Sequence, residues 1–310
     1  MDTLSSLFGG NVLTQLREKK SLSDELQARI NILGAADPDG VDEGTRGWNR
    51  FLFARRAAWN EYVTSASAHG LLDSDLTKRL TSTSIQDEHF RGAMAECMAC
   101  WLVVDRLGHQ PIARPDGRGG SVLDLGISRA DGDITVEVKS PYAAPPKGTG
   151  AFWSGDHTHL LEGALDQANK QFAKDARNVL VIVPLVDMPI FAGRAPFMRA
   201  FYGDEKIVFT IDRKTGRAVG EPEARFVTEG KFMKLWPEPR FTRTGAVVCL
   251  RESFSDIGDG DDYRVEAQRS FFVLHNPNCP NPIPSDVWGD SPQFIIDGDV
   301  MRWTDGKSGV

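Results

Sequence analysis

The sequence predicts an α/β protein in which helices flank a mixed central sheet, with a helical region before this core and a β-rich extension after it. Three features support this fold class. Apolar residues recur every three or four positions up to about Gly108, as they do on amphipathic helices. Strand-like alternation then begins at residue 122, and a helical segment at 160–177 precedes the short apolar run 178–183. The order helix, strand, strand, helix, strand is typical of α/β cores.

The composition is that of an ordinary globular protein, since 41% of the 310 residues are hydrophobic and 25% are charged. A chain of this length can bury a sizeable core and is long enough for about two domains. The formal net charge of −7 excludes a histone-like polycation, so nucleic-acid binding would depend on a local basic surface. Four cysteines do not make a disulfide framework, and neither a membrane span nor a secretory signal is found. We therefore expect a cytoplasmic location.

We expect three consecutive regions: a helical region at 1–84, the core at 85–200 and the β-rich extension at 201–310, packed on the core sheet or completing it. The first region contains amphipathic segments at 26–33 and 48–67. The extension contains strand-like runs at 207–211, 246–250 and 271–274.

The core begins with a third helix, which runs from after Ser84 to Gly108 and carries a wide apolar stripe. Two strands follow, at 122–127 and 134–138. The pair Asp131-Gly132 between them is a strong signal for a tight turn, so we expect a β-hairpin. The run 178–183 is apolar throughout, which is typical of a central strand covered on both faces.

Three charged side chains of this hairpin stand out chemically. Glu137 and Lys139 are two residues apart on one strand, so both side chains leave the same face. Asp124 lies on the other strand, where the hairpin can bring it beside Glu137. Two converging carboxylates repel each other unless a cation lies between them, and Mg²⁺ is the hard cation that prefers such oxygen ligands.

Glu96 is a fourth candidate, on the apolar stripe of the third helix. The residues three and four positions away from it are all small and none is basic, so its own helix offers no ion-pair partner. A carboxylate in apolar surroundings is costly unless it faces a polar site. An ion pair with a distant arginine is the alternative explanation for this residue.

The order and spacing of these residues resemble the PD-(D/E)XK nuclease superfamily. The matching series is Glu96 on a helix, Asp124 and Glu137-Val138-Lys139 on a hairpin, and Gln167 on the following helix. The resemblance covers about residues 96–184 and implies a restriction-endonuclease-like core. One departure is that no proline directly precedes Asp124.

The resemblance implies a metal-dependent nuclease that hydrolyses phosphodiester bonds, most simply of DNA, in restriction, defence or repair. Asp124, Glu137 and the Val138 carbonyl would then bind Mg²⁺, or Mn²⁺ as a substitute. Glu96 would complete the acidic cluster, directly or through a metal-bound water.

Two further residues receive roles from the resemblance. Lys139 would orient or activate the attacking water, or stabilise charge on the transition state. Gln167 would position that water or a phosphate oxygen.

Basic and polar residues outside the acidic cluster are candidates for nucleic-acid binding. Lys170, Gln171 and Lys174 share the polar stripe of Gln167. The stretch 205–251 contains ten Lys or Arg against six Asp or Glu, and Arg213 and Lys214 belong to this set. An ordinary solvated face is the alternative in each case. We expect DNA as the partner and no association with a membrane. The sequence leaves open whether the protein forms a homodimer.

Two alternatives to the nuclease hypothesis remain at this stage. The first is a catalytically inactive nucleic-acid-binding or assembly module that retains the same core. The second is an unrelated α/β protein, because a Glu-x-Lys pair on a strand is usually a solvated face. In that protein Glu96, Asp124 and Glu137 would not meet in space. Cys97 and Cys100 have zinc-like spacing, but their helical position favours buried core thiols.

Overall fold

The computed structural model describes most of the chain, namely residues 2–19, 24–35, 46–82, 88–142, 158–184, 195–226, 230–233, 239–258, 264–297 and 300–304. The described chain is α/β with a mixed sheet, which confirms the predicted fold class at this level. It divides into two compact units. The first unit comprises Met1–Arg114, Asp124–Ser128 and Leu250–Ser270, and the second comprises Pro115–Leu123, Arg129–Cys249 and Phe271–Val310.

The helices and strands are numbered in chain order. The helices are α1 Thr3–Arg17, α2 Asp24–Leu33, α3 Arg46–Ala68, α4 Ser74–Leu80, α5 Glu88–Trp101, α6 Thr158–Gln171 and α7 Ala195–Phe201. The strands are β1 Gln110–Ala113, β2 Leu125–Ser128, β3 Ile134–Lys139, β4 Arg177–Ile182, β5 Glu205–Ile211, β6 Ala218–Phe226, β7 Ala246–Ile257, β8 Arg264–His275, β9 Gln293–Asp297 and β10 Val300–Thr304. The two units are built from non-consecutive segments of the chain.

The predicted helices of the N-terminal half are present as α2, α3 and α5. The third differs from its prediction because α5 ends at Trp101 and continues as a π-helical turn, Leu102–Arg106. Helices α1 and α4 were not predicted, and each begins after an aspartate that caps it. Asp2 Oδ1 accepts a hydrogen bond from the Ser5 amide at 2.5 Å, and Asp73 Oδ1 accepts one from the Leu76 amide at 2.7 Å.

Aromatic side chains fill the core of the first unit. The Phe90 ring lies 5.1 Å from the Trp59 ring and 6.3 Å from the Phe8 ring, measured between centroids, so helices α1, α3 and α5 meet there. The buried guanidinium of Arg29 stacks over Phe90 at 4.7 Å, and its Nη2 donates to the Ser82 carbonyl.

The first unit also holds the antiparallel strand pair β1–β2. Its register matches Gln110 with Ser128 at one end and Ala113 with Leu125 at the other. Arg114 directly follows β1 and Asp124 directly precedes β2, so this register brings both residues to the same end of the pair. The strand starts at Leu125, three residues later than the sequence predicts, so Asp124 directly precedes β2 and does not lie on it.

The second unit contains a mixed sheet with the strand order β3, β4, β7, β8, β9 and β10. Strands β3, β4 and β7 run parallel, β8 and β9 are parallel to each other, and β9 and β10 are antiparallel. Val179–Ile182 are fully buried, which confirms that β4 is a central strand covered on both faces. Leu161, Leu165 and Phe172 share a hydrophobic cluster with Leu180 and Ile182, so α6 covers one face.

Strands β5 and β6 form a separate two-stranded sheet in this unit. Its turn, residues 212–217, is closed by backbone hydrogen bonds between Asp212 and Arg217 and between Gly216 and Asp212. Gly216 has a φ of 67°, a conformation that glycine adopts without strain. The prediction of a strand at 207–211 is confirmed, whereas its partner β6 was not predicted.

Candidate active site

Glu96 is buried on α5 and forms a bidentate ion pair with Arg79 of α4. Arg79 Nη1 lies 2.5 Å from Glu96 Oε1, and Arg79 Nη2 lies 2.8 Å from Glu96 Oε2. Arg79 Nε also contacts Asp75 Oδ2 at 2.9 Å. The partner that the helix of Glu96 does not supply therefore comes from the preceding helix.

Arg114 links Glu96 to Asp124. Its Nη1 atom lies 3.2 Å from Glu96 Oε2 and 3.4 Å from Asp124 Oδ1, while its Nε donates to Asp73 Oδ2 at 3.1 Å. A helix residue and a residue at the start of β2 thus converge on one nitrogen. Both side chains are shielded, with 10% of Glu96 and 15% of Asp124 exposed. In the first unit, the positive charge between the carboxylates of Glu96 and Asp124 is therefore the guanidinium of Arg114.

The backbone of Arg114 is unusual for a residue with a side chain. Its φ of 47° lies in the left-handed region, where a residue other than glycine is uncommon. Such a conformation persists where the surrounding contacts hold it, and it is found often at functional sites. Here the contacts are the three carboxylates at the end of the β1–β2 pair.

The pKa values of these arginines follow from their carboxylate partners. The hydrogen bonds with Glu96 raise the pKa of Arg79. Burial alone would lower the pKa of Arg114, but the charges of Glu96, Asp73 and Asp124 outweigh it and the net change is upward. Both guanidiniums therefore stay charged across the physiological range.

The Glu-x-Lys pair lies on β3 in the second unit. Glu137 is 2% exposed, and Lys139 Nζ lies 2.5 Å from its Oε1. This contact shows that the two side chains leave the same face of the strand, as their spacing predicts. Glu137 and Lys139 pair in register with Leu180 and Ile182 of the parallel strand β4, and this pairing fixes their positions along the sheet. The Lys139 carbonyl accepts a hydrogen bond from the Val183 amide at 2.9 Å, which fastens this end of β3.

The polar candidates Gln167, Lys170 and Gln171 lie off the buried stripe of α6. The helix ends at Gln171, not at 177 as the sequence predicts, so Lys174 lies in the turn that follows and not on the same stripe. Gln167, Lys170 and Lys174 are exposed, and Gln171 is half-buried. The Gln171 carbonyl accepts a hydrogen bond from Ser121 Oγ at 3.2 Å. The exposure of these residues agrees equally with contact to a ligand and with an ordinary solvated face.

Whether the acidic residues fit a divalent ion depends on how they are grouped and on which of their oxygens already have partners. In the described part of the chain, no three His, Cys, Asp or Glu side chains are grouped so that they could hold a metal. Both oxygens of Glu96 are engaged by guanidiniums, so Glu96 does not fit as a direct ligand. Asp124, Glu137 and the Val138 carbonyl supply the hard oxygens that Mg²⁺ prefers, and Asp124 already faces a cation.

The predicted site residues fall into two sets. Glu96 and Asp124 belong to the first unit, where Arg114 brings them together, and the Glu137–Lys139 pair and Gln167 belong to the second. That the two sets meet stays a prediction. The sequence does not identify Arg79 and Arg114 as the ion-pair partners of the first set. Their signals are weak, since only the N-cap Asp73 and the end of a four-residue strand mark where they lie.

The cysteines behave as the sequence predicts. Cys97, Cys100, Cys249 and Cys279 are all buried and free. Burial raises the pKa of the Cys97 thiol well above its ordinary value and raises the pKa of Cys100 to about 11. The burial of Cys97 and Cys100 within α5 agrees with core thiols, the interpretation that their helical position favours in the sequence.

Comparison with known proteins adds no family to this picture. The chain matches no protein-family model, and no curated protein or solved structure matches it significantly. None of the helices in the described ranges has the length and apolar composition needed to cross a membrane.

Proposed function

We propose that this protein is a metal-dependent nuclease of the PD-(D/E)XK type that hydrolyses phosphodiester bonds, in the first place those of DNA. One observation carries the proposal: Glu96 and Asp124, from separate elements, both lie within 3.4 Å of a single nitrogen of Arg114. Acidic side chains that converge repel each other unless a cation lies between them, and in this proposal a divalent ion supplies further positive charge. The resemblance supplies the context of restriction, defence or repair, and the location in this proposal is the cytoplasm.

The metal ligands in this proposal are Asp124, Glu137 and the Val138 carbonyl. Asp124 directly precedes β2 and Glu137 lies on β3, the next strand along the chain, which is the argument for placing them side by side. The Mg²⁺ ion, or Mn²⁺ in its place, would polarise the scissile phosphate and lower the pKa of a bound water. Glu96 would act through a water, because its own oxygens are held by Arg79 and Arg114.

Lys139 is the charged group that would face the reacting phosphate. Its ion pair with buried Glu137 orients the ammonium and limits its freedom. We assign to Lys139 the orientation of the attacking water and the stabilisation of the negative charge that develops on the phosphate. Gln167 would hold the water or a phosphate oxygen from its position on α6.

The tip of the β5–β6 sheet is the proposed contact to the nucleic acid. Arg213, Lys214 and Arg217 are exposed there, while the neighbouring carboxylate of Asp212 accepts a hydrogen bond from the Lys214 amide at 2.7 Å. A two-stranded β-ribbon has the width that the major groove of DNA admits. Lys170 and Gln171 on α6, and Lys174 in the turn after it, would add contacts to the phosphate backbone.

A second candidate function has one observation in its favour. Arg79 and Arg114 already neutralise the acidic residues of the first unit. A protein in which guanidiniums permanently replace the metal would bind nucleic acid without cleaving it. A cleavage assay distinguishes this inactive binding or assembly module from the nuclease.

The experiment is a cleavage assay of supercoiled and linear duplex DNA with Mg²⁺, Mn²⁺ or EDTA. We expect the wild-type protein to cut with either metal and to stop with EDTA. The variants Asp124→Asn and Glu137→Gln should lose cleavage and keep DNA binding, whereas the control Asp175→Asn removes an exposed carboxylate and should cleave like the wild type. DNA binding without cleavage under all conditions would favour the inactive module, and neither binding nor cleavage would refute both functions.

A further inference from the structure

A cavity of about 520 Å³ lies in the first unit, between the end of α1, helix α2 and the start of α3. Its volume falls within the range of about 300–1,000 Å³ that is usual for small-molecule sites. The lining combines the buried apolar side chains of Ile30 and Leu52 with polar side chains that are open to solvent. Among the described residues that line it, none carries a carboxylate.

Trp48 presents an exposed aromatic ring to this cavity. Its side chain is 61% exposed, and its ring stacks on Phe51 with the centroids 5.5 Å apart and the planes at 22°. Phe51 meets Phe254 edge-on at 5.0 Å, and the guanidinium of Arg55 lies over both phenylalanine rings. The aromatic neighbours therefore hold the Trp48 ring while most of its surface stays open. Such a ring can stack on a nucleobase, because every base has a flat π-face.

Amide side chains line the cavity beside this ring. Gln27 and Asn31 lie one turn apart on α2, and Gln27 Nε2 donates to Asn31 Oδ1 at 2.9 Å. An amide group has two donor hydrogens and an acceptor oxygen, so this bond fixes the orientation of further donor and acceptor positions side by side. Asparagine and glutamine amides are the groups that pair with the edges of bases.

Arg17 places a positive charge at the same cavity. A Cβ atom at Gly34 would lie 2.8 Å from Arg17 Nη2, so only glycine lets the guanidinium approach the end of α2 this closely. The partial negative charge at the carboxyl end of a helix favours a cation there. A guanidinium in a cavity without a described carboxylate suits a phosphate group, which it can bind through two parallel hydrogen bonds.

We propose that this cavity binds a nucleotide unit, with the base stacked on Trp48, the edge of the base at the amides of Gln27 and Asn31, and the phosphate at Arg17. Two sources can supply this unit: a free nucleoside monophosphate, or an unpaired nucleotide of a single-stranded nucleic acid. The inference goes beyond the proposed function, because the site uses none of the proposed metal ligands and binds its ligand whether or not the protein cleaves DNA.

The first test is a calorimetric titration of the full chain in EDTA with the 5′-monophosphates of adenosine, guanosine, cytidine and uridine. We expect at least one of them to bind, and Trp48→Ala to weaken this binding at least about tenfold. Trp48→Phe keeps a stacking ring and should stay within about threefold of the wild type. The control Val122→Ala trims another exposed apolar side chain and should bind like the wild type.

The second test separates the roles of Arg17 and Trp48 by means of ligands that lack one part. Ribose 5-phosphate has no base and should not bind, and the nucleoside without phosphate should bind about fivefold more weakly than its monophosphate. Arg17→Gln should abolish this preference and leave the affinity for the nucleoside unchanged. The control Lys78→Gln removes the same charge at an exposed lysine and should keep the preference. A merely structural role of Arg17 would weaken the binding of both ligands alike.

The source of the nucleotide is identified by fluorescence anisotropy with a labelled single-stranded oligonucleotide in EDTA. Loss of oligonucleotide binding in Trp48→Ala identifies a strand as the source, whereas a loss confined to the monophosphates identifies a free nucleotide.

Three results overturn the inference. They are no Trp48-dependent binding of any of these nucleotides or oligonucleotides, binding of ribose 5-phosphate as tight as that of the monophosphates, and self-association that Trp48→Ala abolishes in a protein that binds no nucleotide. The last would assign the exposed ring to a contact between copies of the chain. DNA cleavage is read separately from the Asp124→Asn variant, so the failure of either proposal is visible on its own.

Discussion

Glu96 Oε2 on helix α5 lies 3.2 Å from Arg114 Nη1, directly after strand β1, and the same carboxylate is held on its other side by Arg79. The buried carboxylate of an apolar helix is thus neutralised by two guanidiniums from different elements. This arrangement explains how a carboxylate with 10% exposure is tolerated in the first unit. Replacement of either arginine would therefore leave the shielded carboxylate of Glu96 with less compensating positive charge.

Removal of Arg79 should destabilise the protein. In Arg79→Ala, Glu96 loses two hydrogen bonds and keeps its ion pair with Arg114, and we expect the free energy of unfolding to fall by about 2 kcal/mol. This is below the cost for fully buried pairs because Arg79 is partly exposed. Urea denaturation measures the change. The exposed neighbour Lys78 provides a control, since Lys78→Ala should change stability by less than about 0.5 kcal/mol.

Replacement of Lys139 should separate catalysis from folding. Lys139→Met removes the ammonium beside Glu137, and we expect the rate of DNA cleavage to fall on the order of a hundredfold or more. Lys139→Arg keeps the ion pair and should restore stability but not the rate, because the planar guanidinium cannot occupy the position of the ammonium. Single-turnover cleavage and thermal melting are measured on both variants. Cleavage by Lys139→Met within threefold of the wild type would remove Lys139 from the mechanism.

The imidazole of His275 should make stability depend on pH. Burial lowers the pKa of His275 below 6.5, against an opposing hydrogen bond with Gln293. Because the folded-state pKa is depressed, the contribution of His275 is complete above about pH 6.5 and is lost as the pH falls below it. We expect His275→Gln to lose less stability than the wild type between pH 7.5 and 5.5, by at most about 1.4 kcal/mol per pH unit.

The matched control for this prediction is His69→Gln, which removes an exposed histidine. Its stability should fall with pH as steeply as that of the wild type in urea titrations at the two pH values. If His275→Gln showed the wild-type slope, His275 would not be a source of the pH dependence.

Neutralisation of the β5–β6 tip should weaken DNA binding. In Arg213→Gln/Lys214→Gln, two exposed charges are lost, and we expect the slope of log Kd against log salt to decrease by about two. Fluorescence anisotropy with a short duplex at several salt concentrations measures this slope. Lys78→Gln/Arg264→Gln loses the same charge at exposed positions outside this tip and should keep the wild-type slope. Equal losses in both double variants would show that the tip is not the binding surface.

Strong periodic patterns made much of the fold predictable. Helices α3 and α6 and the central strand β4 bury long apolar stripes or runs, so their existence is encoded locally. Helices α4 and α7 have seven residues each, too few for a clear stripe. Strand β6 contains Gly220 and Pro222, which argue against a strand, and it is tolerated because it pairs on one side in a two-stranded sheet.

The acidic residues of the candidate site could be proposed from the sequence, but their pairing with Arg79 and Arg114 could not. Spacing alone places Glu137 and Lys139 on one face of β3, and their ion pair agrees with this. Nothing local indicates that Glu96 pairs with Arg79, because that contact depends on how α4 packs against α5. The role of Arg114 depends on the β1–β2 register, which a four-residue strand does not reveal in sequence.

The most direct test of the central claim is a crystal structure of the protein grown with Mn²⁺, with anomalous data collected at the manganese edge. We predict one anomalous peak within about 2.4 Å of a carboxylate oxygen of both Asp124 and Glu137. Absence of a peak together with these two carboxylates lying more than about 8 Å apart, too far to share one ion, would contradict the account.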